Sequence, residues 1–122
     1  MTDLAFNVYA KNCPSRMFFE RLSDKWSMLI IGLLRQETKR FNQVKREVEG
    51  ISQKVLSQKL KQLERDGLVK REVFATVPAT VEYSLTELGV SFTNIIDEMK
   101  TWAEGNVVEM LEAQRQYDAI NE

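Results

Sequence analysis

The chain has 122 residues, of which 43% are hydrophobic and 29% charged, and its formal net charge is −1 at pH 7. This is the size and composition of a single globular domain with a modest core. The sequence contains no histidine and a single cysteine, Cys13, which excludes histidine-based triads, histidine metal sites, intrachain disulfides and cysteine zinc sites. We therefore predict that the protein is not an enzyme and holds no metal or cofactor.

Charge is divided unequally along the chain. Residues 35–71 carry eleven basic and five acidic side chains, a net +6, whereas residues 72–122 carry two basic and ten acidic ones, a net −8. Such a division attracts a polyanion to one surface and repels it from another. The longest apolar run, residues 28–34, is too short to cross a bilayer, and no secretory signal is visible, so we predict a cytoplasmic protein without a membrane partner.

The N-terminal residues 1–13 show no clear helical period. We predict an arm that becomes ordered by packing on a partner subunit through apolar residues that include Leu4 and Phe6. Pro14 suits the first turn of a helix, and apolar residues at helical spacing extend this helix to Ser23.

Three short elements are predicted next. Asp24 is a suitable N-cap for a central core helix at residues 25–35. Five apolar residues are expected to make this helix the most buried element, namely Trp26, Leu29, Ile30, Leu33 and Leu34. A single short strand is predicted at residues 38–41, and a third helix, buried through two valines, at residues 42–48.

A helix bracketed by Ser52 and Gly67 follows. The Ser52 hydroxyl can cap a helix start, and Gly67 can take the positive φ of a helix end. At about 100° per residue, Leu56, Leu60 and Leu63 fall on one side of this helix. The residues opposite include no carboxylate and are Lys54, Ser57, Gln58, Lys61 and Arg65. Together with the preceding short helix, this helix forms a helix-turn-helix.

The outer side of the Ser52 helix has the chemistry of a DNA-reading surface. Lysine and arginine neutralise phosphates or pair with guanine, glutamine pairs with adenine, and serine serves either base. An ordinary solvated face is the common alternative for a charged helix, but the neighbouring segments favour DNA binding. The predicted DNA contacts are Arg40, Ser52, Gln53, Lys54, Ser57, Gln58, Lys61, Arg65, Lys70, Arg71 and Thr76.

Two β-branched or aromatic runs, at residues 69–74 and 80–85, are predicted to pair as an antiparallel β-wing around a loop at residues 75–79. Thr86 then caps a long helix whose apolar stripe exceeds what so small a core needs, so we predict packing against a second copy. Gly105 is expected to bend or end this helix. The predicted dimer-interface residues are Leu4, Phe6, Phe92, Ile95, Met99, Trp102, Val108 and Leu111.

Over residues 13–103 the sequence resembles the HxlR-type branch of the winged helix-turn-helix transcription regulators, relatives of the MarR-like repressors. The resemblance rests on two long blocks, ISQKVLSQKLKQLERDGLVKR at residues 51–71 and VPATVEYSLTELG at residues 77–89, and on the short motifs CP, DKW and RF. It implies an α+β, mainly α fold with a small antiparallel β-wing. The predicted parts are an N-terminal arm (1–13), a winged helix-turn-helix domain (14–86) and a C-terminal dimerisation helix (87–122).

The resemblance also implies a function. The protein would be a bacterial homodimer that binds double-stranded DNA at a short inverted-repeat operator, and we expect it to act as a repressor. The recognition helix would be residues 52–66 and the wing tip residues 74–81. Asp24 and Glu37 stand where many members of the family have glycine, and at Glu37 this leaves the local turn geometry open.

Some members of this family sense electrophiles or oxidants through a cysteine that aligns with Cys13. Lys11 and Arg16 lie close in the sequence and are expected to lower the pKa of its thiol, although a lone cysteine is most often a small buried hydrophobe. Without a second cysteine, such a switch would use alkylation, a mixed disulfide or a Cys13–Cys13 bridge between subunits. The other possible effector is a small molecule held in the groove between the wing domain and the dimer helices.

The alternative function is a winged-helix module that binds protein without binding DNA, because the same fold supports both uses. The basic outer side of the Ser52 helix argues against it, since a protein-binding module would have no need of that surface.

Overall fold

The computed structural model describes residues 5–121, so the predicted interface residue Leu4 lies outside the described residues. Its elements are α1 (Pro14–Leu22), α2 (Lys25–Leu34), β1 (Lys39–Arg40), α3 (Phe41–Glu47), α4 (Gln53–Arg65), β2 (Val69–Phe74), β3 (Thr80–Leu85) and α5 (Glu87–Ile120). The strands form an antiparallel sheet in the order β1-β3-β2. The predicted mainly α, α+β fold with a small antiparallel wing is confirmed.

Side-chain caps start three helices where the sequence predicts them. Asp24, Ser52 and Thr86 each accept a hydrogen bond from the backbone N–H three residues further on, at 3.1 Å. Gly67 follows α4 with a φ of +82°, a conformation that glycine adopts without strain. Local sequence signals therefore determine the boundaries of α4.

Helix α2 passes through the centre of the core. Its buried residues follow helical spacing and are Ser27, Ile30, Ile31 and Leu34. The prediction that Leu29 is buried was wrong, because this side chain is 52% exposed, and Trp26 and Leu33 are only half-buried. The apolar residues of α2 extend around the helix, whereas only one side of it faces the rest of the core.

Helix α5 is continuous over 34 residues, so the expectation that Gly105 ends it was wrong. A helix of this length extends about 51 Å. Glycine costs a helix interior about 1 kcal/mol relative to alanine, which a long helix tolerates. None of the helices within residues 5–121 combines the length and hydropathy needed to cross a bilayer.

The space around two glycines of α5 predicts opposite effects of adding a methyl group. A Cβ at Gly105 would meet no atom within 4 Å, whereas a Cβ at Gly89 would lie 2.2 Å from the carbonyl oxygen of Leu68. We expect Gly105→Ala to raise the free energy of unfolding by up to about 1 kcal/mol, and Gly89→Ala to lower it. Urea denaturation of both variants measures the difference, and a destabilised Gly105→Ala protein would contradict the prediction.

Candidate nucleic-acid interface

The outer side of α4 makes no polar contacts within the described part of the chain. Lys54, Gln58, Lys61 and Arg65 are exposed, and Ser57 is half-buried. None of these residues forms an ion pair with another residue in the range 5–121. Their donors are therefore available to an external ligand, as the sequence predicts.

The inner side of α4 belongs to the core. Leu56, Leu60 and Leu63 are 0%, 1% and 3% exposed. Burying a leucine stabilises the fold by about 1.5–3 kcal/mol, so any rotation of α4 about its axis that exposed these side chains would be strongly unfavourable. The leucines thereby hold the basic side of the helix outward.

Two ion pairs attach the flanks of α4 to the first two helices. The Lys59 ammonium lies 3.1 Å from the carboxylate of Asp24, the N-cap of α2. At the end of α4, the Arg21 guanidinium lies 3.0 Å from the Asp66 carboxylate, which also accepts a hydrogen bond from Gln62 at 3.1 Å. Sequence reasoning missed both pairs. Lys59 lies between the leucine side and the basic side of α4, and this position could have indicated a contact with a neighbouring element.

The protonation of Asp24 reflects this attachment. Burial raises the pKa of its carboxyl, but hydrogen bonds from the Ser27 N–H and from Lys59, together with the charge of Lys59, outweigh burial, and the pKa is lowered overall. Asp24 is therefore a carboxylate at neutral pH. It serves α2 as a cap and α4 as an ion-pair partner at the same time.

At the edge of the basic side of α4, one hydroxyl is already hydrogen-bonded and a carboxylate lies nearby. The Ser52 hydroxyl is already engaged in capping α4, since it accepts the Val55 N–H. Gln53 is exposed. Glu64 is also exposed, and at about 100° per residue it lies only about 20° around the helix from Ser57. The carboxylate-free surface therefore ends at Ser57.

Three further predicted contacts, Lys70, Arg71 and Thr76, lie on β2 of the wing and on the loop after it. Lys70 and Arg71 are exposed, and the Lys70 ammonium lies 2.8 Å from the carboxylate of Glu72. The Thr76 hydroxyl donates a hydrogen bond to the Pro78 carbonyl oxygen at 2.7 Å. Thr76 thus stabilises the loop itself, and Arg71 is the freer of the two wing cations.

Adjacent cations in β1 have opposite environments. Lys39 is 2% exposed, and its ammonium lies 3.2 Å from the carboxylates of Glu37 and Glu47. Burial lowers the pKa of Lys39, but the hydrogen bonds and charges of the two glutamates outweigh it and raise the pKa. Glu37 thus acts as a partner of Lys39. Arg40 is exposed.

Cys13 occupies the N-cap position of α1 and is half-buried. Its sulfur lies 3.1 Å from the Ser15 hydroxyl and accepts a hydrogen bond from the Asn7 N–H at 3.4 Å. These bonds, the Ser15 hydroxyl first, lower the pKa of the thiol. The predicted cause, the charges of Lys11 and Arg16, was wrong: Arg16 contributes its backbone N–H, and its guanidinium pairs with a glutamate of α1.

The predicted interface residues of α5 fall into two groups. Phe92 is half-buried and packs against the core. The others are exposed by 53% to 81% and are Ile95, Met99, Trp102, Val108 and Leu111. Sequence reasoning missed three further exposed residues that continue the stripe at helical spacing, namely Met110, Tyr117 and Ile120. In the arm, Phe6 is 61% exposed.

Comparison with known proteins identifies the family. Residues 21–111 match the model of the HxlR-like helix-turn-helix family. The chain is 39% identical over 105 residues to the uncharacterized HTH-type transcriptional regulator YtfH of Escherichia coli (strain K12), covering 86% of this chain and 83% of the relative.

Solved structures agree. The structure of ytfH from Salmonella typhimurium, described as a transcriptional regulator, has a TM-score of 0.83 and 38% identity, covering 92% of this chain and 99% of the other. The redox regulator HypR in its reduced form has a TM-score of 0.73 and 38% identity, covering 82% and 98%. The chain therefore belongs to the HxlR-like helix-turn-helix family and is a transcriptional regulator, not an enzyme.

Proposed function

We propose that the protein is a homodimeric repressor that binds an inverted-repeat DNA operator through α4. The observation that carries this proposal is the outer side of α4. Lys54, Lys61 and Arg65 are exposed there and form no ion pair within residues 5–121, while the leucines on the opposite side are buried. A helix of this kind enters the major groove, where arginine, lysine and glutamine read base edges. The wing cations lie on the element that follows α4 in the chain.

The exposed stripe of α5 supports the homodimer. Monomeric soluble proteins rarely expose large contiguous apolar patches, and every described residue of α5 from 105 onward is exposed except the half-buried Asn106. A second copy packed on this stripe would bury it. A two-fold pair of α4 helices would then match half-sites about 34–36 Å apart.

We infer repression because a compact helix-turn-helix dimer bound at a promoter can act by blocking polymerase. The alternative, a winged-helix protein-interaction module, leaves the free cations of α4 without a role.

Two kinds of effector are consistent with the structure. The pKa of the Cys13 thiol is lowered, and HypR, a protein similar to this chain, is described as a redox regulator. Helix α1 connects this thiol to α4, because Cys13 stands at its N-cap position and Arg21, in its last turn, pairs with Asp66 at the end of α4. A groove of about 890 Å³ between α2 and α5 is the second candidate, since ligand pockets typically enclose about 300–1,000 Å³.

Two substitutions on α4 separate backbone contacts from base readout. We expect Lys61→Ala to weaken binding to all DNA sequences and to reduce the slope of log affinity against log salt by about 1, and Gln58→Ala to relax discrimination at one base pair. Fluorescence anisotropy on the operator, located by footprinting the adjacent promoter, measures both effects. Lys100→Ala, which removes an exposed lysine of α5, is the matched control.

If both α4 variants bound DNA like the parent, the assignment of this surface would be wrong. A parent protein that bound no DNA even at low salt would favour the protein-interaction alternative.

A charge placed in the α5 stripe tests the homodimer. We expect Trp102→Glu to convert a particle of twice 14.2 kDa into one of 14.2 kDa, because the carboxylate would be buried without a partner in the subunit contact. Asn94→Glu adds the same charge at an exposed position of the same helix, about 80–140° around the helix from Ile95, Met99 and Trp102, and should leave the dimer intact. Sedimentation equilibrium distinguishes them, and a parent protein that is monomeric would remove the proposal.

A quinone tests sensing by Cys13. The thiolate adds to a ring carbon of the quinone, a C–S bond forms, and the ring takes up a proton to become a hydroquinone, so no further oxidant is needed. We expect the quinone to release the parent protein from DNA and to leave Cys13→Ser bound. Anisotropy follows release and mass spectrometry follows the adduct. Equal release of the two proteins, or an adduct without release, would exclude the switch.

A further inference from the structure

A surface cleft of about 490 Å³ lies between the start of α3 and the end of the wing loop. One wall comes from the end of β1 and from α3, and the other from the wing. The lining residues are Arg40, Phe41, Asn42, Gln43 and Arg46 on the first wall and Pro78, Ala79, Thr80 and Val81 on the second. No carboxylate lines this cleft, which we call the arginine cleft.

The two arginines of the arginine cleft are available for binding. Arg40 and Arg46 are exposed, and neither forms an ion pair within residues 5–121. Gln43 accepts a hydrogen bond from the Arg40 backbone N–H at 3.4 Å, and Asn42 is exposed beside it. The wall therefore combines two cations with two side-chain amides.

The nearby carboxylates do not neutralise these arginines. Glu37 and Glu47 pair with the buried Lys39. Glu82 lies opposite Arg40 across the β1 and β3 pair, but it is absent from the cleft lining and forms no ion pair among the described residues. The positive charge of the arginine cleft is thus left for an external anion.

We propose that the arginine cleft holds one backbone phosphate of DNA, with Arg40 and Arg46 as its ligands. The proposal rests on the DNA binding proposed above and deepens it. Arginine binds phosphate through two parallel N–H donors, and in a helix-turn-helix the helix before the recognition helix crosses the DNA backbone. A phosphate held between α3 and the wing would set the position of α4 along the groove without reading sequence.

Adjacent cations on α3 provide a matched pair of variants. Lys45 and Arg46 are both exposed and carry the same charge, but only Arg46 lines the cleft. We expect Arg46→Ala to weaken binding to operator and to unrelated DNA alike, by about tenfold, and to reduce the salt slope by about 1. Lys45→Ala should stay within about twofold of the parent. Thermal denaturation confirms that both variants are folded.

Operator DNA with single methylphosphonate substitutions locates the contact. Neutralising one phosphate in each half-site should weaken binding of the parent and of Lys61→Ala, but should cost Arg46→Ala nothing further, because that variant has already lost the contact. Inorganic phosphate, added at constant ionic strength, should not displace DNA from the parent.

These measurements distinguish a failure of the phosphate site from a failure of the proposed DNA binding. If the parent binds DNA but Arg46→Ala behaves like Lys45→Ala, or if no methylphosphonate position distinguishes the variants, the cleft is not a phosphate site and the wider function stands. If inorganic phosphate competes with DNA for the parent and not for Arg46→Ala, the cleft binds free phosphate instead. If the parent binds no DNA, the proposed function itself is wrong.

Discussion

The orientation of α4 is the constraint on which the functional surface depends. Three buried leucines, each worth about 1.5–3 kcal/mol, hold one side of the helix against the core. Two ion pairs flank the helix, Asp24 with Lys59 and Arg21 with Asp66. The first pair is partly exposed and of the kind that contributes about 0–1 kcal/mol, whereas the Asp66 side chain of the second is only 8% exposed. The leucines therefore decide which side is buried, and the ion pairs restrain the helix at its flanks.

The cations of the basic segment divide into structural and free groups by their distance from the core. Lys39 and Lys59 lie close enough to carboxylates of neighbouring elements to be paired, whereas Arg40, Arg46 and Lys61 have no such partner among residues 5–121. A count of net charge treats all of these residues alike. Only the second group can neutralise phosphates without first breaking an internal contact.

Local signals explain what could be predicted from the sequence. Caps at Asp24, Ser52 and Thr86 and the glycine at Gly67 act through neighbouring backbone groups, so the element boundaries and the outward side of α4 follow from spacing alone. The exposure of Leu29 and the pairing of Lys59 with Asp24 depend on residues far away in the sequence, which periodicity cannot supply. The thiol of Cys13 shows this limit in part: the Ser15 hydroxyl, the main cause of its lowered pKa, is two residues away, but the hydrogen bond from the Asn7 N–H requires the folded arm.

Helix α5 links the stability of the domain to the proposed dimer. Its first half packs on α2 and β3, but the residues beyond Gly105 have almost no cover from their own chain. A helical segment of about fifteen residues is marginally stable in water without tertiary packing, and this one also exposes apolar side chains such as Tyr117 and Ile120. Packing against a second copy would stabilise the helix and bury those side chains at once. In the proposed dimer, the separation of the two α4 helices, and hence the spacing of the operator half-sites, would follow from how the α5 helices pack.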